Sequence, residues 1–233
     1  MPFQDYVMIR SLLTGLLAAT ALAAAPALAA ERPVVVELFT SQGCSSCPPA
    51  DALLSTLADR PEVLALAFHV DYWNRLGWTD PFSGPWATAR QTAYAAQLGS
   101  DQVYTPQAVI DGRGDVVGSD RAAMEAAIAA ARTDPSVPVQ LTASGTGLQV
   151  AVDPAAPADA VLWLVGFDDR HDTPVRRGEN AGRTLVDRNV VRSLTRLDGW
   201  MPGGTVAAAR PEGDRTAVLL QAADGRILGA ARL

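Results

Sequence analysis

The chain has 233 residues, 25 of them acidic and 19 Lys or Arg, so its net charge is −6 at pH 7. An acidic chain is a poor ligand for nucleic acids, whose phosphates attract basic surfaces. All 19 of these basic residues are arginines. The absence of lysine excludes Schiff-base and lysine general-base mechanisms.

Residues 1–30 have the pattern of a secretory signal peptide. Arg10 precedes an apolar stretch over residues 12–25, and the later Ala27-x-Ala29 pattern predicts cleavage after Ala29 or Ala30. The alternative, a retained membrane anchor, needs a longer apolar run. We therefore expect an exported protein, periplasmic or secreted, with no membrane span after cleavage.

Both cysteines of the chain, Cys44 and Cys47, follow a strand-like run over residues 34–40. Residues 51–58 have helical spacing, so the cysteines are predicted to lie at a helix N-terminus. There the unpaired N–H groups and the helix dipole favour the thiolate form of Cys44. This pattern predicts thiol–disulfide exchange. The alternative is a static disulfide, which stabilises little across so short a loop.

The next elements alternate between strands and helices. Residues 63–70 form a continuous apolar run typical of a central strand, and residues 71–82 predict a long aromatic loop. A helix over 86–98, two strands within 103–118 and a helix over 121–132 follow. The predicted order is therefore β-α-β-α-β-β-α.

This order, with Cys-x-x-Cys opening the first helix and Thr105-Pro106 before the third strand, resembles the thioredoxin fold. The stretches at residues 36–49, 69–73 and 104–107 resemble an exported bacterial thioredoxin-like family of unassigned function. The resemblance implies that Cys44 attacks a substrate disulfide and Cys47 resolves the mixed disulfide. It also implies a cis Pro106 beside the cysteines, with the Thr105 backbone offered to a substrate strand.

In thioredoxin-like proteins a buried acid before the motif often transfers a proton to the second cysteine, and Glu37 is the candidate here. The alternative is a strand residue whose carboxylate is satisfied elsewhere. Ser45-Ser46 replaces the Gly-Pro of thioredoxin, so oxidase, reductase and isomerase directions stay open. The expected partners are protein or small-molecule thiols and a separate redox recycling partner, and no cofactor is needed.

Other residues suggest further sites. His69, near Asp71, could form a copper or zinc site with Cys44 and Cys47, although a histidine paired with a neighbouring acid is the simpler interpretation. The aromatic loop could line a groove for an extended partner or could instead be a plug that orders the loop. Its aromatic residues are Tyr72, Trp73, Trp78 and Phe82.

The pattern changes after Pro135 and Pro138, which predict a linker. Regularly spaced alternating strands follow and predict an antiparallel β-sandwich. The strands are expected at residues 139–143, 148–152, 160–167, 183–197, 205–209, 217–221 and 227–232, with a bend or bulge in the long fourth one. The polar loop 178–183 is either a plain surface loop or faces the cysteine-bearing domain.

The expected architecture is therefore an α/β thioredoxin-like domain (31–134) followed by an all-β domain (135–233). The leading function is an exported thiol–disulfide oxidoreductase. The alternatives are a metal-handling protein that uses Cys44, Cys47 and His69, and a non-enzymatic binding module whose disulfide pins a loop.

Overall fold

A computed structural model describes Met1 and residues 32–233, so the predicted signal peptide lies, apart from Met1, outside the described residues. The helices are α1 (Pro48–Ala58), α2 (Pro85–Gln97) and α3 (Arg121–Ala131). The strands are β1 (Val34–Thr40), β2 (Val63–His69), β3 (Gln107–Ile110), β4 (Gly114–Val117), β5 (Val139–Ser144), β6 (Gly147–Val152), β7 (Val161–Pro174), β8 (Thr184–Leu197), β9 (Thr205–Ala208), β10 (Arg215–Gln221) and β11 (Ile227–Arg232). Among the described residues, no helix is long and apolar enough to cross a membrane.

Eight strands form one mixed sheet in the order β11-β10-β7-β8-β2-β1-β3-β4. β1 and β2 are parallel, connected through α1, and all seven residues of each strand are buried. β8 runs parallel to β2, with Ala67 opposite Val190, and the other neighbouring pairs are antiparallel. Strands that are buried on both faces have nearly continuous apolar sequences, which explains the composition of β1 and β2.

The predicted fold class is wrong. Strands from both halves of the chain share the eight-stranded sheet, so an α/β thioredoxin-like domain followed by an all-β sandwich is not what forms. The physical reason is the edge of β2: its fully buried backbone needs a partner on both sides, and β8 supplies the second one. Local alternation in β7 and β8 carries no information about that distant pairing.

The order of elements between residues 34 and 131 is as predicted. The bulge expected within residues 183–197 is also confirmed. In the β7–β8 ladder Gly166 lies opposite Ser193 and Phe167 opposite Val191, which leaves Arg192 as the extra residue of β8. The strand predicted at 160–167 is longer than expected and continues to Pro174.

Residues 32–233 form one compact unit with three apolar clusters. One face of β1 packs with Ala87 and Tyr94 of α2, and the other face packs with residues of α1 and α3. A three-stranded sheet, β5-β6-β9, covers part of β7 and β10. The loops that follow β1 and β2 begin at the same edge of the large sheet, and this edge carries the cysteines.

Candidate functional site

Cys44 and Cys47 form a disulfide in the loop between β1 and α1. Cys47 is the N-cap residue of α1, and its carbonyl accepts from the amides of Ala50 (2.8 Å) and Asp51 (3.1 Å). Pro48 lies in the first turn, where a missing N–H costs little. Both cysteines are fully buried, whereas Ser45 and Ser46 between them are exposed.

Thr105 and Pro106 lie beside Cys44. The Thr105–Pro106 peptide bond is cis, as the resemblance implied. The Thr105 hydroxyl lies 3.4 Å from the Cys44 Sγ and accepts from the indole N–H of Trp73 at 2.8 Å. The loop before β3 therefore contacts the Cys44 sulfur through the threonine side chain.

Glu37 does not point toward the cysteines. Side chains alternate along a strand, and Glu37 shares its face with Val35 and Phe39, which pack on the α2 side, whereas α1 lies on the opposite face. The Glu37 carboxylate is buried and accepts from Arg90 Nε at 2.7 Å, Arg90 Nη2 at 3.1 Å and the Tyr94 hydroxyl. Its carboxylate is thus satisfied elsewhere, the alternative that the sequence left open.

A different carboxyl group lies on the cysteine side of the sheet. Asp51 follows Cys47 by four residues on α1, so the two side chains share one face of the helix. Asp51 is 8 % exposed and accepts from the Thr40 hydroxyl at 2.7 Å. Burial and the nearby Asp187 raise the pKa of Asp51 to about 7, against the lowering effect of Thr40.

Asp51 also has access to solvent. A cavity of about 340 Å³ lies between the start of α1 and β8, and its lining includes Pro48, Asp51 and Leu185. A carboxyl group that titrates near neutral pH at the wall of an open cavity can exchange protons with water.

His69, at the end of β2, belongs to a buried charged group next to Asp51. Its Nδ1 lies 2.7 Å from Asp80 Oδ2. Burial lowers the pKa of His69, but Asp80, together with Asp187 and Asp51, raises it more, to about 9. The predicted neighbour Asp71 instead accepts from the Thr88 hydroxyl at 2.6 Å. His69 is therefore paired with Asp80, whose negative charge favours the protonated form of the ring.

Gln42 joins this charged group to the cysteine loop. Its amide N–H donates to Asp80 at 2.8 Å, its side-chain amide donates to Asp187 at 2.7 Å, and its Oε1 accepts from the Trp78 indole at 3.1 Å. Burial raises the pKa of Asp187 and His69 opposes that rise. These contacts fix the backbone immediately before Cys44.

Because Cys44 and Cys47 are joined in a disulfide, the metal site suggested for them with His69 stays a prediction for the reduced protein. Within residues 32–233, no cluster of three or more His, Cys, Asp or Glu side chains could hold a metal ion. The His69 Nε2 atom is buried and has no hydrogen-bond partner among these residues. The aromatic loop that follows β2 is anchored by two hydrogen bonds. The Trp73 indole donates to the Thr105 hydroxyl, and the Trp78 indole donates to the Gln42 side chain. These contacts favour the ordering role of the loop.

The loop between β7 and β8, residues 175–183 and here named the covering loop, packs on the cysteine loop. The Asn180 side-chain amide donates to the carbonyls of Gln42 (3.0 Å) and Cys44 (2.8 Å). Glu179 accepts from the Ser45 amide at 3.0 Å. Asn180 is 1 % exposed. The polar loop at 178–183 therefore faces the cysteines, which is one of the two alternatives that its sequence left open.

Three residues of this site were not predicted from the sequence. Asp51 has a sequence signal that could have identified it, because it is an acid among apolar positions one turn after Cys47. Asn180 and Asp187 had none, since they lie more than 130 positions from the cysteines and reach them only through the β7–β8 hairpin.

Comparisons with known proteins place the chain in a group without an assigned activity. The model of the family described as "Protein of unknown function (DUF1223)" matches residues 35–221. The crystal structure of Protein AGR_C_4864 from Agrobacterium tumefaciens is similar, with 33% sequence identity, a TM-score of 0.75 and coverage of 86% of this chain and 93% of that one. HBP35 of Porphyromonas gingivalis shares the fold alone, with a TM-score of 0.53, 15% identity and coverage of 87% and 75%. No curated protein matches the chain significantly.

Proposed function

The chain belongs to the DUF1223 family of proteins of unknown function, and from the site itself we propose that it is a thiol–disulfide oxidoreductase. The observation that carries the proposal is the Cys44–Cys47 disulfide at the N-terminus of α1, with the Thr105 hydroxyl 3.4 Å from the Cys44 Sγ. The likeness of the cysteine stretch to thioredoxin-like proteins supports the same chemistry. The signal-peptide pattern of residues 1–30 supports export to the periplasm or beyond.

In the oxidising direction a substrate thiolate attacks the Cys44 Sγ. A mixed disulfide forms, the Cys44–Cys47 bond breaks and Cys47 leaves as a thiolate. A second substrate thiolate then attacks the substrate sulfur of the mixed disulfide and releases Cys44. The substrate loses two electrons and the cysteine pair gains them. The reducing direction is the reverse sequence, in which the Cys44 thiolate attacks a substrate disulfide and Cys47 resolves it.

The surroundings of the two sulfurs support different roles for them. The Thr105 hydroxyl can donate to a Cys44 thiolate, and the positive end of the α1 dipole adds to its stabilisation. Cys47 shares a helix face with Asp51. Since burial raises the pKa of Asp51 to about 7, its carboxyl can give a proton to the leaving Cys47 thiolate and take it back. We assign to Asp51 the proton-transfer role that the resemblance suggested for Glu37.

The burial of both cysteines implies a gating step. Because Cys44 has no exposed surface, a substrate sulfur reaches it only after neighbouring groups move. The covering loop is held to the backbone of Gln42 and Cys44 by Asn180. We propose that substrate thiols displace the covering loop, and that a separate redox protein recycles the cysteine pair.

The test uses two single-cysteine variants of the whole chain. Cys47→Ser should trap glutathione as a mixed disulfide on Cys44 when incubated with glutathione disulfide, because the resolving thiol is missing. Cys44→Ser should trap at least ten-fold more slowly, since its remaining thiol is the resolving one. Intact-mass spectrometry measures both rates. Equal rates in the two variants would contradict the assignment of Cys44 as the attacking residue.

The reduction potential of the wild-type pair then distinguishes the direction from a static bridge. A value of about −120 to −180 mV is expected for a disulfide donor or isomerase, and one near about −270 mV for a reductant. A value below about −300 mV, with no trapping in either variant, would indicate a structural disulfide in a non-enzymatic binding module.

A further inference from the structure

A cavity of about 420 Å³ lies on the face of the large sheet opposite α1, between α2 and strands β7, β8 and β10. It exists because α2 presents two small residues, Ala89 and Ala93, to this space alongside the larger Trp86 and Arg90. Its volume is within the range of small-molecule sites. The sheet side of the cavity is apolar and consists mainly of Val161, Trp163 and Leu194.

The charged group in the lining is Arg90. Its side chain is 6 % exposed, and its guanidinium lies 5.7 Å from the centre of the Trp163 ring and 5.1 Å from that of Tyr94. Burial lowers the pKa of Arg90, but Glu37 and Tyr94 raise it more, so the guanidinium stays charged. Nε and Nη2 both donate to Glu37. Nη1 has no partner among residues 32–233, and it is not sealed from solvent.

The other buried polar groups of the cavity bond to one another. The Trp163 indole donates to Gln221 Oε1 at 2.8 Å. The Gln221 amide donates to the Tyr94 hydroxyl at 3.1 Å and to the Gly225 carbonyl at 2.7 Å. Arg90 Nη1 is therefore the charged donor left for a ligand, in a lining that is mostly apolar and that also includes the exposed Gln97.

We propose that this cavity is a binding site for an apolar carboxylate of the fatty-acid type. Its hydrocarbon part lies between Trp86 and Trp163, and its carboxylate accepts from Arg90 Nη1. A carboxylate that accepts from the guanidinium makes a hydrogen bond in which both partners are charged, and charge-assisted bonds are about twice as strong as neutral ones. The hydrocarbon part removes the exposed indole surface from water. The proposal is independent of the cysteine chemistry, which lies on the other side of the sheet.

The first test uses the fluorescent probe 11-(dansylamino)undecanoic acid with the whole chain. Its emission should rise on binding, and decanoate should displace it. Decyltrimethylammonium has the same chain length and a cationic head, so it should compete at least ten-fold less well. Equal competition by the two amphiphiles would overturn the role of Arg90 and leave only non-specific apolar binding.

The second test places the probe in the cavity. Ala93→Trp fills the space between α2 and the sheet and should weaken probe binding at least ten-fold. Ala96→Trp is the matched control, because Ala96 is exposed on the same helix and does not line the cavity. Equal probe affinity in the two variants, each with wild-type circular dichroism, would place binding elsewhere and overturn the proposal.

Sedimentation of the same variants tests the rival occupant, a second copy of the chain. If the wild-type protein is a dimer that Ala93→Trp dissociates, and it binds no probe, then the cavity is an interface and the proposal fails. Cys44→Ser should bind the probe like the wild-type protein. This result separates the proposal from the proposed oxidoreductase activity, which that variant lacks.

Discussion

Asp51 illustrates how much of this site depends on a single ionisable side chain. Its carboxyl is buried on the cysteine face of α1, close to Asp187 and hydrogen-bonded to Thr40. The resulting pKa of about 7 places its titration in the physiological range, where an acid–base group works best. Glu37, also buried, is neutralised by Arg90 on the opposite face of β1. The difference between the two acids is therefore one of location.

Replacing Asp51 with Asn should slow reduction of the disulfide by dithiothreitol, on the order of 10²-fold, the size typical of a lost general acid. The protonated carboxyl supplies the proton to Cys47, so the wild-type rate, corrected for the dithiothreitol thiolate fraction, should fall as the pH rises through about 7. The variant should lack this fall. Asp59→Asn is the control, because Asp59 is exposed at the other end of α1. Stopped-flow Trp fluorescence measures the rates.

The same pKa has a consequence for stability that checks the environment of Asp51 independently. Its value in the folded protein, about 7, is above the ordinary value of 3.8, so between these values the folded protein holds a proton that the unfolded chain has released. The contribution of Asp51 to stability therefore falls as the pH rises from about 4 to 7. The stability of Asp51→Asn, measured by urea unfolding, should lack this pH-dependent loss.

In the kinetic experiment, a wild-type reduction rate that stays constant across pH 7 after correction for the dithiothreitol thiolate fraction would exclude Asp51 from proton transfer.

At the scale of elements, the β7–β8 hairpin is as much a part of the site as α1. Its turn, the covering loop, supplies Asn180, which donates to two backbone carbonyls around Cys44 and accepts from Arg183. Its second strand supplies Asp187, which accepts from Gln42. Both strands have fourteen residues, twice the length of the neighbouring strands β2 and β10. The hairpin therefore extends beyond these neighbours and reaches the cysteine loop.

Asn180→Ala should make the disulfide more accessible. The variant loses two hydrogen bonds that hold the covering loop, a cost of roughly 1–3 kcal/mol. We therefore expect reduction by tris(2-carboxyethyl)phosphine to be about 10-fold faster, as measured by alkylation of the freed thiols. Arg177→Ala, an exposed change in the same loop, should have the wild-type rate. An unchanged rate in a folded Asn180→Ala protein would show that the covering loop does not limit access.

At the scale of the whole molecule, the large sheet unites the two halves of the chain. The apolar cluster on the α2 side combines Phe39 and Phe68 of β1 and β2 with Val165, Phe167 and Val191 of β7 and β8. Neither half encloses these side chains alone. The site is likewise built from both halves of the chain, since the cysteines come from the first half and Asn180 and Asp187 come from the second.

A fragment of residues 32–134 should therefore fail to fold on its own. Without β8, the edge of β2 is unpaired, and the α2-side cluster loses its partners from β7, β8 and β10. We expect aggregation or a non-cooperative thermal transition by circular dichroism, whereas residues 32–233 should unfold in one transition. A monomeric fragment with a cooperative transition would show that the shared core is not required.

Features that depend on near neighbours were predictable from the sequence. The apolar runs of β1 and β2, the helix start after Cys47 and the bulge in β8 all follow from periodicity, turn chemistry and strand length. The cis Thr105–Pro106 bond and its place beside Cys44 followed from resemblance. Of the candidate site residues, Cys44, Cys47, Thr105 and Pro106 lie together, whereas Glu37 and His69 have other partners.

The local structure around the cysteines, including their pairing three residues apart, thus follows from neighbouring residues in the sequence. The folded structure was needed to show that β8 pairs with β2, that Asn180 holds the cysteine loop and that Asp51, with Asp187 nearby, is the acid on the cysteine side. The physical reason is distance along the chain. Periodicity fixes which face of a strand is buried, but the choice of a distant partner depends on the packing of the whole core.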